Sequence, residues 1–130
     1  MTATTLRTTL DATFDEALVR VTDALKREGF GVLTEIDIAA TLKAKLGVDF
    51  RRYKILGACN PPFAHQALTA DLDVGLMLPC NVVVYEGDDG RAVVLAVDPL
   101  RSMAAADSPG LVDLAGAVRA KLERALAQLT

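Results

Sequence analysis

The residues best equipped for chemistry are a repeated dipeptide. Cys59-Asn60 is followed by Pro61, and Cys80-Asn81 is preceded by Pro79. A thiolate is both a nucleophile and a soft metal ligand, and an asparagine amide donates and accepts hydrogen bonds. The single histidine, His65, lies five residues beyond Asn60, a little over one helical turn. If the strands carrying the two dipeptides are neighbours, Cys59, Asn60, His65, Cys80 and Asn81 converge on one candidate ligand-binding pocket.

Two chemistries would follow. Cys59 immediately precedes Asn60-Pro61-Pro62, a helix-start pattern, and a helix N-terminus favours thiolate over thiol. A small thiol-dependent enzyme or redox protein would then use Cys59 or Cys80, with His65 beside them. Alternatively, Cys59, His65 and Cys80 supply three metal ligands and leave an open fourth position, as zinc allows. Their spacings, five and fourteen intervening residues, lack the tight ligand pairs of common zinc modules.

The competing reading is structural. Cysteine packs as a small hydrophobe, Asn60 caps a helix, and Asn81 satisfies backbone groups where Pro79 interrupts a ladder. No base or orienting acid is visible beside either thiol, which favours a non-enzymatic module that binds a small ligand or a protein partner near the two dipeptides. Whether the chain is an enzyme stays open at this stage, and no cofactor is expected.

Other motifs are missing. Gly29-Phe30-Gly31 has no third glycine in register and enters a strand, so it is no phosphate loop. Nucleophile-elbow, paired-histidine and CxxC patterns are absent. Glu35 and Asp37 share a strand face and read as its wet side. The short basic run Arg51-Arg52-Tyr53-Lys54 reads as a solvated turn entering a strand.

The elements that must position these residues are marked by caps and periodicity. Leu6–Leu10 is a weak opening strand. Thr13 and Glu16 form a capping box before the helical stripe Phe14, Ala17, Leu18, Val21, Ala24 and Leu25, which Gly29 stops. Val32, Thr34, Ile36 and Ile38 alternate with Leu33, Glu35 and Asp37, the period of a strand. Asp37 then caps a short helix carrying Leu42 and Leu46, which ends at Gly47. Tyr53–Ala58 is a strand, and a helix bearing Phe63, Ala64, Ala67 and Leu68 follows Asn60. Val74–Glu86 and Ala92–Val97 form a hairpin about Gly87-Asp88-Asp89-Gly90, with Cys80-Asn81 in the middle of the longer strand. Leu100–Asp107 is a loop, and Ser108-Pro109 starts a last helix lined by Leu111, Leu114, Ala115, Val118, Leu122, Ala125, Leu126 and Leu129. The tight hairpin and the half-polar alternation argue for an α+β fold with a mostly antiparallel sheet backed by helices.

At 130 residues and 52% apolar, the chain suits a single domain, 1–130, with a core of its own. A formal net charge of −3, with both signs interspersed, argues against a nucleic-acid partner. The polar N-terminus and the lack of a long apolar run argue against secretion and against a membrane. A cytoplasmic location with two free thiols is the expectation.

One resemblance adds to this. The stretch Lys54-Ile55-Leu56-Gly57-Ala58-Cys59-Asn60-Pro61-Pro62-Phe63-Ala64-His65, with Gly75-Leu76-Met77-Leu78-Pro79-Cys80-Asn81-Val82-Val83-Val84, resembles the uncharacterised prokaryotic family called domain of unknown function 302. Gly29-Phe30-Gly31-Val32, Glu35-Ile36-Asp37 and Asp98-Pro99 fit the same pattern. The resemblance implies an antiparallel sheet backed by helices, similar to the TATA-binding-protein-like fold, and a homodimer. It implies no settled activity, and it maps its shared positions to Cys59, Asn60, Pro61, Pro79, Cys80, Asn81, Asp98 and Pro99.

Overall fold

The computed structural model describes residues 5–102 and 109–130. The elements run β1 (Thr5–Leu10), α1 (Phe14–Arg27), β2 (Gly31–Asp37), α2 (Ile38–Leu46), β3 (Tyr53–Cys59) and α3 (Pro61–Ala70). A 3-10 helix (Leu72–Met77), β4 (Cys80–Glu86), β5 (Ala92–Val97), α4 (Pro99–Ser102) and α5 (Pro109–Ala127) complete the order. The strands form one sheet, β1-β5-β4-β3-β2, in which every neighbouring pair is antiparallel. This is the α+β architecture that the hairpin and the alternation predict.

Local chemistry sets the helix ends. The Thr13 hydroxyl accepts from the Glu16 N–H at 3.2 Å, and the Thr13 N–H donates to Glu16 Oε1 at 2.9 Å, so the capping box forms. At the other end of α1, Gly29 adopts φ +86, a conformation only glycine takes cheaply. The N–H groups of Gly29 and Phe30 close back onto the carbonyls of Lys26 and Leu25, a Schellman motif. Asp37 caps α2 through the Ala40 N–H at 2.9 Å, and Gly47 ends that helix at φ 68.

Strand register sorts side chains between two faces. Ala58 lies opposite Cys80, Leu56 opposite Val82, Val82 opposite Ala96 and Val84 opposite Val94. All are buried against α1 and α5 in one core with Val21, Leu25, Leu122 and Leu126. Burying each such Val or Leu side chain favours folding by roughly 1.5–3 kcal/mol. A second cluster, Ala67, Val74, Leu111 and Ala115, joins α3 and the 3-10 helix to α5. The opposite sheet face carries Ile55, Val83, Tyr85 and Leu95, which stay half-buried. There Tyr53 and Tyr85 stack with centroids 5.5 Å apart.

Asp98, nearly buried, ties the end of β5 to α5. Its Oδ1 accepts from the Leu100 N–H and its Oδ2 from Arg119 Nε, both at 3.0 Å.

Three expectations need correction. Val74–Glu86 is not one long strand: Leu72–Met77 is a 3-10 helix, and β4 begins at Cys80. The Asp71 carboxylate accepts from the Asp73 N–H and turns the chain, so Leu72 and Leu76 face solvent instead of alternating into a sheet. The alternation over Val32–Ile38 breaks at a bulge between Val32 and Thr34, which leaves Leu33 unpaired and exposed, and Ile38 already belongs to α2. Part of the expected Leu100–Asp107 loop is helical, as α4, because Asp98 caps it. The remainder of that loop from residue 103, and the Ser108 cap, lie outside the described residues.

The basic run is structural. Arg52 forms a two-pronged bond to the Asp15 carboxylate, at 2.7 and 3.1 Å, and lies over the Phe14 ring. Arg51 pairs with Asp88, and Lys54 with Glu35. Each cation in the run thus has a carboxylate, and Glu35 and Asp37 are taken up by an ion pair and a helix cap.

Candidate functional site

A cleft of about 260 Å3 opens where α3 and α5 meet the ends of β3 and β4. Its floor is Ala58 and Cys80, one wall is Phe63, Ala64, Ala67 and Leu68 of α3, and another is Leu114 and Val118 of α5. Phe30, Leu33, Leu78 and Pro79 close the remaining side, and Cys59 and Asn60 stand at the β3–α3 junction.

The structure brings together three of the five sequence candidates. Cys59, Asn60 and Cys80 line the cleft; His65 and Asn81 do not. Adjacent strand residues point to opposite faces, so with Cys80 turned to the core, Asn81 is turned to the other side, opposite Gly57, and is exposed. His65 is exposed on α3, where its carbonyl accepts from the Thr69 hydroxyl at 2.7 Å. Among the described residues, no three His, Cys, Asp or Glu side chains gather where they would share a metal ion.

Asn60 occupies the N-cap position of α3, but its side chain makes no capping bond. The amide instead donates from Nδ2 to the Glu28 carbonyl at 3.3 Å, one of the carbonyls left over at the end of α1. This pulls the β3–α3 junction onto α1, and it needs Gly29, because a Cβ there would come within 2.9 Å of Asn60 Nδ2. The one buried amide of the cleft is therefore committed to holding the wall in place.

Gly57 plays a matching part beneath Pro79. A Cβ on Gly57 would meet the Thr34 side chain and would stand 2.8 Å from Pro79 Cγ. Without that Cβ, the proline ring packs close to β3 at the edge of the cleft.

The electrostatics run against a reactive thiol at the floor. Burial pushes the Cys80 thiol up to about 11, with the nearby Cys59 adding to the effect. A group so displaced is a neutral thiol at physiological pH and a poor nucleophile. The lining is otherwise hydrocarbon. A cleft of this kind can hold a molecule by shape and desolvation, and among the described residues its lining carries no acid–base pair.

Among the lining residues that sequence reasoning did not single out are Phe30, Leu33, Phe63, Leu114 and Val118. Most sat in stripes read as ordinary core. The one sequence signal was that Phe63 and Ala67 share a helix face four residues apart, next to the dipeptide.

No curated protein matches the chain. The solved structure described as the crystal structure of the uncharacterised conserved protein DUF302 from Bacillus stearothermophilus is similar, with a TM-score of 0.89 and 30% sequence identity. The match covers 97% of this chain and 98% of that one. The family model "Domain of unknown function DUF302" matches residues 6–129. With nearly every element of the sheet, the helices and the cleft walls inside that match, the chain belongs to the DUF302 family.

Proposed function

We propose that the chain is a non-enzymatic, cytoplasmic, homodimeric module that binds a small, largely apolar ligand in the cleft lined in part by Cys59, Asn60 and Cys80. The carrying observation is the cleft itself: an opening of about 260 Å3 whose walls are nearly all hydrocarbon and whose amide is already bonded to the chain. An apolar recess of this kind, left unfilled by the protein's own side chains, is the default binding site of a small domain. His65 and Asn81 fall outside it, so neither side chain takes part in holding the ligand.

Calorimetric titration with decanol, a neutral apolar probe, tests this. Decanol should bind the wild-type chain, and Ala64→Phe, which grows a ring into the cleft, should abolish binding while leaving the chain folded. Equal binding to both, or none to either, would dispose of the reading.

The homodimer is supported by a second region. Ile36, Leu46, Val48 and Phe50 are all more than 40% exposed, and no residue of α2 is buried. Exposed apolar groups clustered around one connection suit a surface that another copy covers. Sedimentation of the wild type should give twice the mass of a Phe50→Lys variant; a wild-type monomer would refute the dimer.

A further inference from the structure

The chemistry at the mouth of the cleft narrows the ligand class. Phe63 lines the cleft, and the Lys121 ammonium lies over its ring, 5.9 Å from the centroid. Leu114 and Val118 of α5 line the same cleft, and Lys121 follows Val118 by three residues, which puts it on the same side of the helix. The other cations of α5 are occupied: Arg119 pairs with Asp98 and Glu123, and Arg124 with Glu28. Among the described residues, no carboxylate pairs with Lys121. A half-buried lysine whose ammonium lies over an aromatic wall of a hydrocarbon recess is complementary to a molecule with an apolar tail and one negative charge.

We propose that the cleft takes a medium-chain carboxylate, its tail against Phe63, Leu114 and Val118 and its head on the Lys121 ammonium. This rests on the reading of the cleft as the binding site. A lysine at this position can follow a carboxylate over some distance, since its ammonium is a point charge on a flexible stem. Its methylenes add to the apolar rim.

Calorimetric titration at low salt with decanoate and with decanol separates the two ideas. In the wild type, decanoate should bind about five-fold more tightly than decanol, the scale of a partly exposed ion pair. Lys121→Met keeps the apolar stem and removes the charge. It should bring the two ligands to equal affinity. Decanoate no tighter than decanol in the wild type, or a preference that survives in Lys121→Met, overturns the carboxylate and leaves the cleft standing. Failure of both ligands to bind the wild type removes the cleft as a site, and the carboxylate with it.

Discussion

The two Cys-Asn dipeptides are identical in sequence and opposite in placement. Cys59-Asn60 straddles the end of β3, so the chain leaves the strand between the two residues, and both reach the cleft. Cys80-Asn81 opens β4, where alternation forces the pair apart: Cys80 into the core, Asn81 onto the opposite face. A buried amide with a backbone partner thus has an exposed counterpart twenty-one residues later. What the side chains do is set by where the strand begins and ends, not by the dipeptide.

The sharpest way to break this arrangement is at Gly57, directly opposite Asn81. Gly57→Ala would force a methyl against Pro79 Cγ, a ring that cannot swing aside. The expected loss is about 3 kcal/mol, as in overpacked cores, read as a lower urea midpoint. An unchanged midpoint would mean that the proline ring is not pinned there.

Next in size is an alkaline transition. The folded Cys80 thiol holds its proton more tightly than an unfolded one, whose ordinary value is 9.0. Its stabilising share is therefore complete below pH 9.0 and is lost as pH rises towards about 11. That share is on the order of 2–3 kcal/mol. Urea midpoints across this range should fall more steeply for the wild type than for Cys80→Ala. Parallel curves would show that the thiol is open to water.

The smallest effect distinguishes the amides. Asn60→Ala strands the Glu28 carbonyl and should cost about 1–2 kcal/mol. Asn81→Ala, at an exposed position, should stay within about 0.5 kcal/mol of the wild type. Equal losses, measured side by side by thermal unfolding, would erase the contrast between the two dipeptides.

Much of the scaffold was legible because it is written in local chemistry. The Thr13–Glu16 box, the Asp37 cap and the glycines at 29 and 47 each act through bonds a few residues long, and each element they bound is present. The start of β4 was not legible, since Val74–Leu78 is as apolar as a strand and only the Asp71 turn tells it apart. The cleft was half legible. Its sulfurs stand out in sequence, but Phe63, Leu114 and Val118 do not, because a cleft wall and a packed core use the same residue types. Only the meeting of α3, α5 and the sheet decides which apolar faces fail to touch. His65 was misplaced for a geometric reason. At about 100° per residue it lies roughly 200° around α3 from both Phe63 and Ala67, so a helix that turns those two inward turns the imidazole out.

The bulge at Leu33 has a consequence for how this sheet and its cleft are related. Val32 still pairs with Ala58 and Thr34 with Gly57, so the ladder closes on either side of Leu33 as though it were not there. The sheet would knit together with one residue fewer. That surplus residue is the one β2 contributes to the cleft. At this edge, strand length answers to the recess beside it rather than to hydrogen bonding between strands.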